Sequence, residues 1–422
     1  MTREQRASPA GAVESLEIGA EVDVDVERIL PGGMGLAHAR GQTLLVALAA
    51  PGDRVRVQVR GMRGGVAFAS IEEILTPSSV RVVPPCPYFG RCGGCDFQQL
   101  TYEAQLAAKV EIIRDSLRRV ARVEPPADIP ITPSPDAWRY RARSMWQYDR
   151  RVGSLGYYER GSRTVCDVVE CPVIVPELQA VLTTLRERVS REALPEGASD
   201  IQAVAGDAGV ALAPSVLTGR VAEESARTVG AERYRFNADC FFQINHGLLA
   251  PLVEAAIGGM MGDAPAGMRG QRAVDLYCGV GLFTLPLARR FAKVFGVEGN
   301  ATACDYARRN LADAKLTNAK IEASTVGAWL TRYATDLSPV DFVLLDPPRA
   351  GAENETVKGI IALRPTRIAY VSCDPATLAR DLRKLLAGGY EIASIAAFDM
   401  FPQTHHVETI VHLTRTTVNP EG

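Results

Sequence analysis

Ala273-Val-Asp-Leu-Tyr-Cys-Gly-Val-Gly-Leu-Phe283 is the stretch on which the fold turns. An apolar run stops at a Gly-x-Gly turn, and a helical pattern follows to about Phe291. A second apolar run, Val294 to Val297, ends in Glu298. Strand, glycine turn, helix and strand make the first half of a doubly wound α/β sheet. Ligands of such sheets lie beyond the carboxyl ends of the strands, and an acid after the second strand can hold ribose hydroxyls. A dinucleotide fingerprint needs a third glycine where this chain has Thr284. The shorter Gly279-Val-Gly281 turn fits an adenosyl ligand without a pyrophosphate.

The sheet continues downstream. Asp341 to Leu345 runs into Asp346-Pro-Pro-Arg349, and Arg367 to Val371 runs into Ser372-Cys-Asp-Pro375. A helix from Thr377 to Leu386 precedes a strand from Tyr390 to Phe398, and the final strand is Val407 to Thr414. The loop from Asp399 to His406 is too short for a helical crossover, so the last two strands should be antiparallel. That puts Glu408 on the rim that carries Cys373, Asp346 and the glycine turn. A lone cysteine at a strand end reads first as a small buried hydrophobe, and a lone glutamate as a surface residue. Together beside an adenosyl pocket they suggest a specific chemistry. A thiolate adding to carbon 6 of uracil makes carbon 5 nucleophilic toward a sulfonium methyl, and a base must then remove the carbon-5 proton. Cys373 is the expected nucleophile and Glu408 the expected base.

Composition sets the frame. A chain of 422 residues, 47% apolar, has room for two or three domains. Its net charge of −2 gives no global attraction to nucleic acid, so an RNA partner requires a local basic patch. No apolar window is long enough to span a bilayer, and Met1 to Ala12 lacks an apolar signal core, so a cytoplasmic protein without a membrane partner is expected. No obligate protein partner is evident. Nine cysteines in such a chain suggest metal binding or catalysis.

From Leu16 to Thr76 short alternating strands and glycine turns suggest a barrel of the OB type, with Arg54, Arg56, Arg60 and Arg63 as RNA-facing charges. Cys86, Cys92 and Cys95 follow within ten residues. Cys171 is the best fourth ligand and Cys166 the second, and the spacing allows zinc or an iron–sulfur cluster. A helix from Leu100 to Val120 carries an apolar stripe at Leu106, Val110, Ile113, Leu117 and Val120. The basic, aromatic stretch Trp138 to Arg163 is the local patch, and a strand from Trp138 to Tyr148 would put Arg139, Arg141 and Arg143 on one face. Pro176 to Ala213 reads as a helix, a polar loop and a strand. A helix from about Gly247 to Met261 and a linker, Gly262 to Gly270, lead into the last sheet.

With these residues assembled, the chain resembles the RNA uracil-5-methyltransferase family of the RumA/TrmA type over nearly its whole length. It is most similar to the three-domain members that modify large-subunit ribosomal RNA; the tRNA-specific bacterial branch usually lacks the first domain and the cluster. The resemblance implies a lead-in over 1–15 and an OB-type TRAM barrel over 16–77. It further implies a central α+β iron–sulfur domain over 78–235 and a Rossmann-like class I methyltransferase domain over 236–422. It assigns a 4Fe–4S cluster to Cys86, Cys92, Cys95 and Cys171, the nucleophile to Cys373 and the base to Glu408. S-adenosyl-L-methionine contacts fall on Gln243, Tyr277, Glu298 and Asp346. Two positions depart from the family's habit: Leu282 stands where asparagine is common, and a usual polar contact falls on Thr325. The expected activity is methylation of uracil carbon 5 in 23S rRNA, with the cluster structural or RNA-positioning. Competing readings are a tRNA uracil methyltransferase, an RNA-binding module with a vestigial pocket, and a redox sensor.

Overall fold

The computed structural model describes residues 15–191, 194–195, 198–216, 223–258, 270–333, 336–337 and 339–416. The lead-in expected over 1–15 and the linker over Gly262–Gly270 lie almost wholly outside them.

The chain begins with β1 (Glu21–Asp25), β2 (Arg28–Ile29), β3 (Gly35–Ala39), β4 (Gln42–Ala47), β5 (Arg54–Arg63) and β6 (Val66–Thr76). They form one sheet in the order β1-β5-β6-β4-β3-β2. The two outer strands of that order are separated in the chain by Val26 and Glu27 alone, so the sheet bends back on itself. Val55, Val57 and Val59 alternate inward against Leu44, Val46 and Ala67. On the outside Arg56 pairs with Asp23 (2.9 Å) and Glu73 (2.8 Å), and Arg60 pairs with Glu72 (2.5 Å). Two of the four arginines expected to face RNA are therefore neutralised by acids on adjacent strands.

Next comes α1 (Tyr102–Ser116), which continues as a π-helical turn over Leu117–Ala121, and then β7 (Ile131–Thr132). Ile113 and Leu117 of the expected stripe are buried, but the buried face of α1 is wider than that stripe and partly polar. Gln105, Lys109, Ile112 and Ser116 go inward, at helical spacing, while Leu106 and Val110 are half-buried. Gln105 and Lys109 turn inward because partners wait for them in a distant loop, and Ser116 bonds back to the Ile112 carbonyl.

The central sheet comprises β8 (Arg143–Asp149), β9 (Ser154–Tyr158), β10 (Val165–Asp167), β11 (Asp200–Gly206) and β12 (Gly209–Ala213), in the order β10-β9-β8-β11-β12. α2 (Pro176–Val189) seats Leu178, Leu182 and Leu185 in its core. The region after α2 is a hairpin rather than one strand, because Gly209, at φ +108°, closes a two-residue turn against Gly206. The strand expected from Trp138 begins only at Arg143, and Arg139 is left-handed (φ +52°). Arg139, Arg141 and Arg143 therefore do not share a strand face. Arg143 donates to the carbonyls of Ala238 and Cys240 and to Gln202, tying the central sheet to the next segment.

β13 (Ser225–Val229) and β14 (Glu232–Phe236) form a hairpin, followed by α3 (Leu249–Gly258). The large sheet then builds in alternation: β15 (Gly270–Leu276), α4 (Thr284–Arg290), β16 (Phe291–Glu298), α5 (Ala301–Asp313), β17 (Ala319–Ala323) and α6 (Val326–Tyr333). It continues with β18 (Phe342–Leu345), α7 (Asn354–Leu363), β19 (Arg367–Ser372), α8 (Pro375–Ala387), β20 (Tyr390–Phe398) and β21 (Glu408–Arg415). The order is β17-β16-β15-β18-β19-β21-β20-β7. β15 to β19 are parallel, and β21 is antiparallel to both neighbours, as the short loop requires. Alternate residues face opposite layers. Ala273, Phe342, Leu344, Ala369 and Val371 pack with α3, α4 and α5. Val274, Val343, Leu345, Ile368 and Tyr370 pack with α6, α7, α8 and the end of α1. This is the doubly wound, Rossmann-like arrangement expected. Its borders differ from the expected ones. Ile113, Leu117, Ala121 and Ile129 join the α8 layer, β7 pairs with β20, and Tyr234 joins the other layer, so parts of 78–235 belong with the large sheet.

Candidate active site

β19 ends and β21 begins at the same rim. Ser372 is the antiparallel partner of Thr409, so Cys373, one residue beyond, and Glu408, one residue before, stand side by side. Cys373 is partly buried. Burial, and then the neighbouring Glu408 and Asp346 carboxylates, push its thiol up to about 12, while Arg349 pulls the other way. Glu408 is 1% exposed and its Oε1 has no hydrogen-bond partner among the described residues. Burial, then the charge of Asp346, holds its carboxyl well above the usual range, again opposed by Arg349. Asp346 is raised to about 7 by burial, against the Gln243 amide, whose Nε2 donates to Oδ2 at 3.2 Å. A buried carboxyl with an unused oxygen is costly unless it serves a partner that arrives from outside.

The glycine turn completes the rim. Gly279 (φ +52°) and Gly281 (φ +95°) take left-handed conformations. A Cβ on Gly279, or on Gly299 next to Glu298, would meet nothing within 4 Å, so open space lies against both. Glu298 is held ready: its Oε2 accepts from the Gly279 N–H (3.0 Å) and its Oε1 from the Asn300 N–H (2.7 Å). Tyr277 is itself left-handed (φ +63°), its hydroxyl 3.3 Å from Thr356 Oγ1. Leu282 is buried in the apolar layer, and its carbonyl accepts from the Tyr234 hydroxyl at 3.0 Å. That position thus serves packing. Thr325 is exposed at the start of α6.

Cys86, Cys92, Cys95 and Cys171 line one cavity, with Gln98, Arg141 and Tyr157 among its walls. Gly93 lets the loop close: a Cβ there would lie 3.1 Å from the Tyr158 carbonyl, to which the Gly93 N–H donates. Burial pushes the Cys92 thiol to about 11 and Cys95 to about 12, and the neighbouring cysteines add to both. Cys166 does not line this cavity; it is buried and takes a hydrogen bond from Arg91 Nε (3.3 Å). Among the described residues no group of three or more Cys, His, Asp or Glu side chains is arranged to hold a metal ion. Arg141 Nε donates to the Arg143 carbonyl (2.9 Å), and no carboxylate among the described residues pairs with it.

Three further residues escaped the sequence reading. Arg349 is the cation that acts on both Cys373 and Glu408; its place three residues after Asp346, beyond a strand end, was the available signal. His406 stands two residues before Glu408, and burial, then the charge of His405, drives it down to about 2, so it is a neutral imidazole. Gln98 reaches Cys86 and Cys95, and nothing in a Phe-Gln-Gln run advertises that.

Residues 220–416 match the family model described as tRNA (Uracil-5-)-methyltransferase. A Pseudomonas fluorescens protein named 23S rRNA (uracil(1939)-C(5))-methyltransferase RlmD is 32% identical, covering 96% of this chain and 95% of that one. A Thermosynechococcus vestitus protein described as an uncharacterized RNA methyltransferase is 33% identical, covering 94% and 98%. The crystal structure of Pyrococcus abyssi tRNA (uracil-54, C5)-methyltransferase with S-adenosyl-L-homocysteine shares the fold at TM-score 0.69 and 24% identity, covering 93% of this chain and 100% of that one. Similarity of this extent, together with a rim that carries thiol, carboxylate and glycine turn, means that the chain belongs to the RNA uracil-5-methyltransferase family.

Proposed function

We propose that this protein transfers a methyl group from S-adenosyl-L-methionine to carbon 5 of a uridine in 23S rRNA. The adjacency of Cys373 and Glu408, set by the Ser372–Thr409 pairing, carries the proposal. When bound, S-adenosyl-L-methionine supplies a sulfonium methyl. Gln243, Tyr277, Glu298 and Asp346 are the side chains that would hold it, and the open space at Gly279 and Gly299 is the feature that fits it.

The chain's own residues then do the following. The Cys373 thiol gives its proton to solvent and Sγ bonds to carbon 6 of the flipped uracil, while the C5–C6 π electrons move toward the C4 carbonyl oxygen. Arg349 favours the thiolate. Once carbon 5 carries the methyl, the Glu408 carboxylate removes the remaining C5 proton. That electron pair restores the double bond, the S–C6 bond breaks, and Cys373 is released.

The N-terminal sheet, bent back on itself, reads as an OB-type TRAM barrel. Arg150, Arg151 and Arg163, all exposed and without an ion-pair partner among the described residues, suit RNA phosphates. Phe241, 60% exposed and two residues before Gln243, suits base stacking. We also assign a 4Fe–4S cluster to Cys86, Cys92, Cys95 and Cys171. Two features support it: four thiols share one cavity, and the Arg141 cation beside them has no ion-pair acid among the described residues. An rRNA substrate implies a cytoplasmic enzyme, and no described helix is long and apolar enough to cross a membrane. A tRNA substrate is the second reading, favoured by the description of the family model and by the archaeal neighbour.

The test is methyl transfer to unmodified 23S rRNA and, separately, to tRNA, with the product mapped by mass spectrometry. 5-Methyluridine in 23S rRNA is the expected result. Product only in tRNA moves the substrate and keeps the chemistry. No product from protein that binds S-adenosyl-L-methionine overturns both readings.

A further inference from the structure

The loop between β20 and β21 closes immediately before Glu408, because Phe398 and Glu408 are strand partners. Little within the loop holds it. Thr404 binds back to the Phe401 carbonyl, and the His406 N–H donates to Thr404 Oγ1 at 3.3 Å. The remaining ties come from elsewhere in the chain. Lys109, on α1, pairs with Asp399 and donates to the Phe401 carbonyl (3.0 Å). Tyr140 donates to the Pro402 carbonyl at 2.8 Å.

Gln403 is the most heavily held residue. It is left-handed, with φ +68°, a conformation that a non-glycine residue keeps only when its surroundings impose it. Its N–H donates to Gln105 Oε1 (2.9 Å), and its Oε1 accepts from Gln105 Nε2 (3.0 Å). Its carbonyl accepts from the N–H groups of Asp96 (3.1 Å) and Phe97 (3.0 Å). Two residues on, the His405 N–H donates to Asp96 Oδ1 (2.8 Å), and His405 Nδ1 meets Asp96 Oδ2 at 2.5 Å. From the other side the Pro31–Gly35 turn presses on the same imidazole. A Cβ on Gly33 would lie 2.9 Å from His405 Cβ, and Gly33 is left-handed besides.

Asp96 follows Cys95 directly. The segment that places two cysteines in the cavity therefore also supplies, one residue later, the carboxylate and amides that hold the turn leading to Glu408. We infer that Asp96 is a positioning residue for the base: through His405 and Gln403 it fixes where the Glu408 carboxylate stands, so the cysteine loop braces the proton-abstraction step. The inference rests on the reading of Glu408 as the base. Asp96 touches no reacting atom, and its loss should leave Cys373 and the attack on carbon 6 in place. Its signature is thus the same as that of a damaged base, namely protein left joined to RNA.

The experiment uses the full chain and whichever RNA accepts methyl in the assay above. Asp96→Ala, Asp96→Asn and His405→Ala are compared with Glu408→Gln for product rate, for covalent protein–RNA adduct on denaturing gels, and for visible absorbance. Glu408→Gln should accumulate adduct. Asp96→Ala and His405→Ala should accumulate it too, with product formation slowed on the order of 10- to 100-fold and absorbance kept. Asp96→Asn keeps the shape and one acceptor, should fall between wild type and Asp96→Ala, and decides the matter if the alanine variant does not fold. Normal product rates in Asp96→Asn and His405→Ala, or slow rates without adduct, overturn the inference while Glu408→Gln still traps RNA. If Glu408→Gln traps nothing, the base reading fails and this inference falls with it.

Discussion

Cys373 and Glu408 flank one antiparallel step, Ser372 opposite Thr409, so the thiol and the carboxyl lie on neighbouring strands at the same height. The two groups can work on the two adjacent carbons of one pyrimidine. Cys373→Ala should abolish both methyl transfer and adduct, whereas Glu408→Gln should abolish turnover and retain adduct. The double variant should show neither. Adduct in the double variant would mean that another nucleophile attacks carbon 6.

The pH profile follows from burial. Glu408 is raised well above the usual carboxylate range and Asp346 to about 7. A base acts only when deprotonated, so adduct resolution should speed up as pH rises beyond the ordinary carboxylate range, where an unperturbed carboxylate would give a flat line. Rates unchanged down to about pH 5 would assign proton removal to another group.

The cavity makes a separate prediction about two cysteines. Cys171 lines it and Cys166 does not. Cys171→Ser should bleach the visible absorbance of purified protein, and Cys166→Ser should leave it. The opposite pattern would exchange their roles.

Lys109 and Asp399 form an ion pair with both side chains fully buried. Burial pulls the Lys109 amine below its ordinary value, and Asp399 pulls it back up. Lys109→Met strands the carboxylate and should cost roughly 3–5 kcal/mol in chemical denaturation. Lys109→Met with Asp399→Leu should recover most of that loss. A double variant as unstable as the single one would show that the loop needs the charge itself.

RNA affinity should follow the unpaired arginines. Replacing Arg150, Arg151 and Arg163 by alanine should reduce the slope of log affinity against log salt by about 2 to 3. Arg56→Ala, whose charge Asp23 and Glu73 already neutralise, should change it little.

The adjacency of Cys373 and Glu408 was legible because it depends on two local facts, a cysteine ending a strand and a loop too short for a crossover. That Cys171 shares a cavity with Cys86, Cys92 and Cys95 was legible from the lack of a fourth cysteine near Cys95. The polar part of the buried face of α1 was not. Gln105 and Lys109 read as solvent-facing by every local rule, and their partners, Gln403 and Asp399, lie 298 and 290 residues away. Arg139, Arg141 and Arg143 misled for the same reason. Alternating arginines look like a strand face, but Arg139 turns left-handed and Arg143 grips the carbonyls of Ala238 and Cys240. Long-range polar partnerships leave no periodic trace in a sequence.

β7 closes the large sheet from the wrong end of the chain. Ile131 and Thr132 lie against Ala397 and Phe398, and the end of α1 covers α8. During synthesis this early segment emerges long before its partners, and its apolar residues stay uncovered until nearly the whole chain is made. The reverse holds for a fragment. Residues 220–416, cut out alone, would carry a bare strand edge at β20 and an uncovered apolar α8, the two features that drive proteins to stick to one another. The part of the chain that bears the family's signature is thus not a part that can stand by itself.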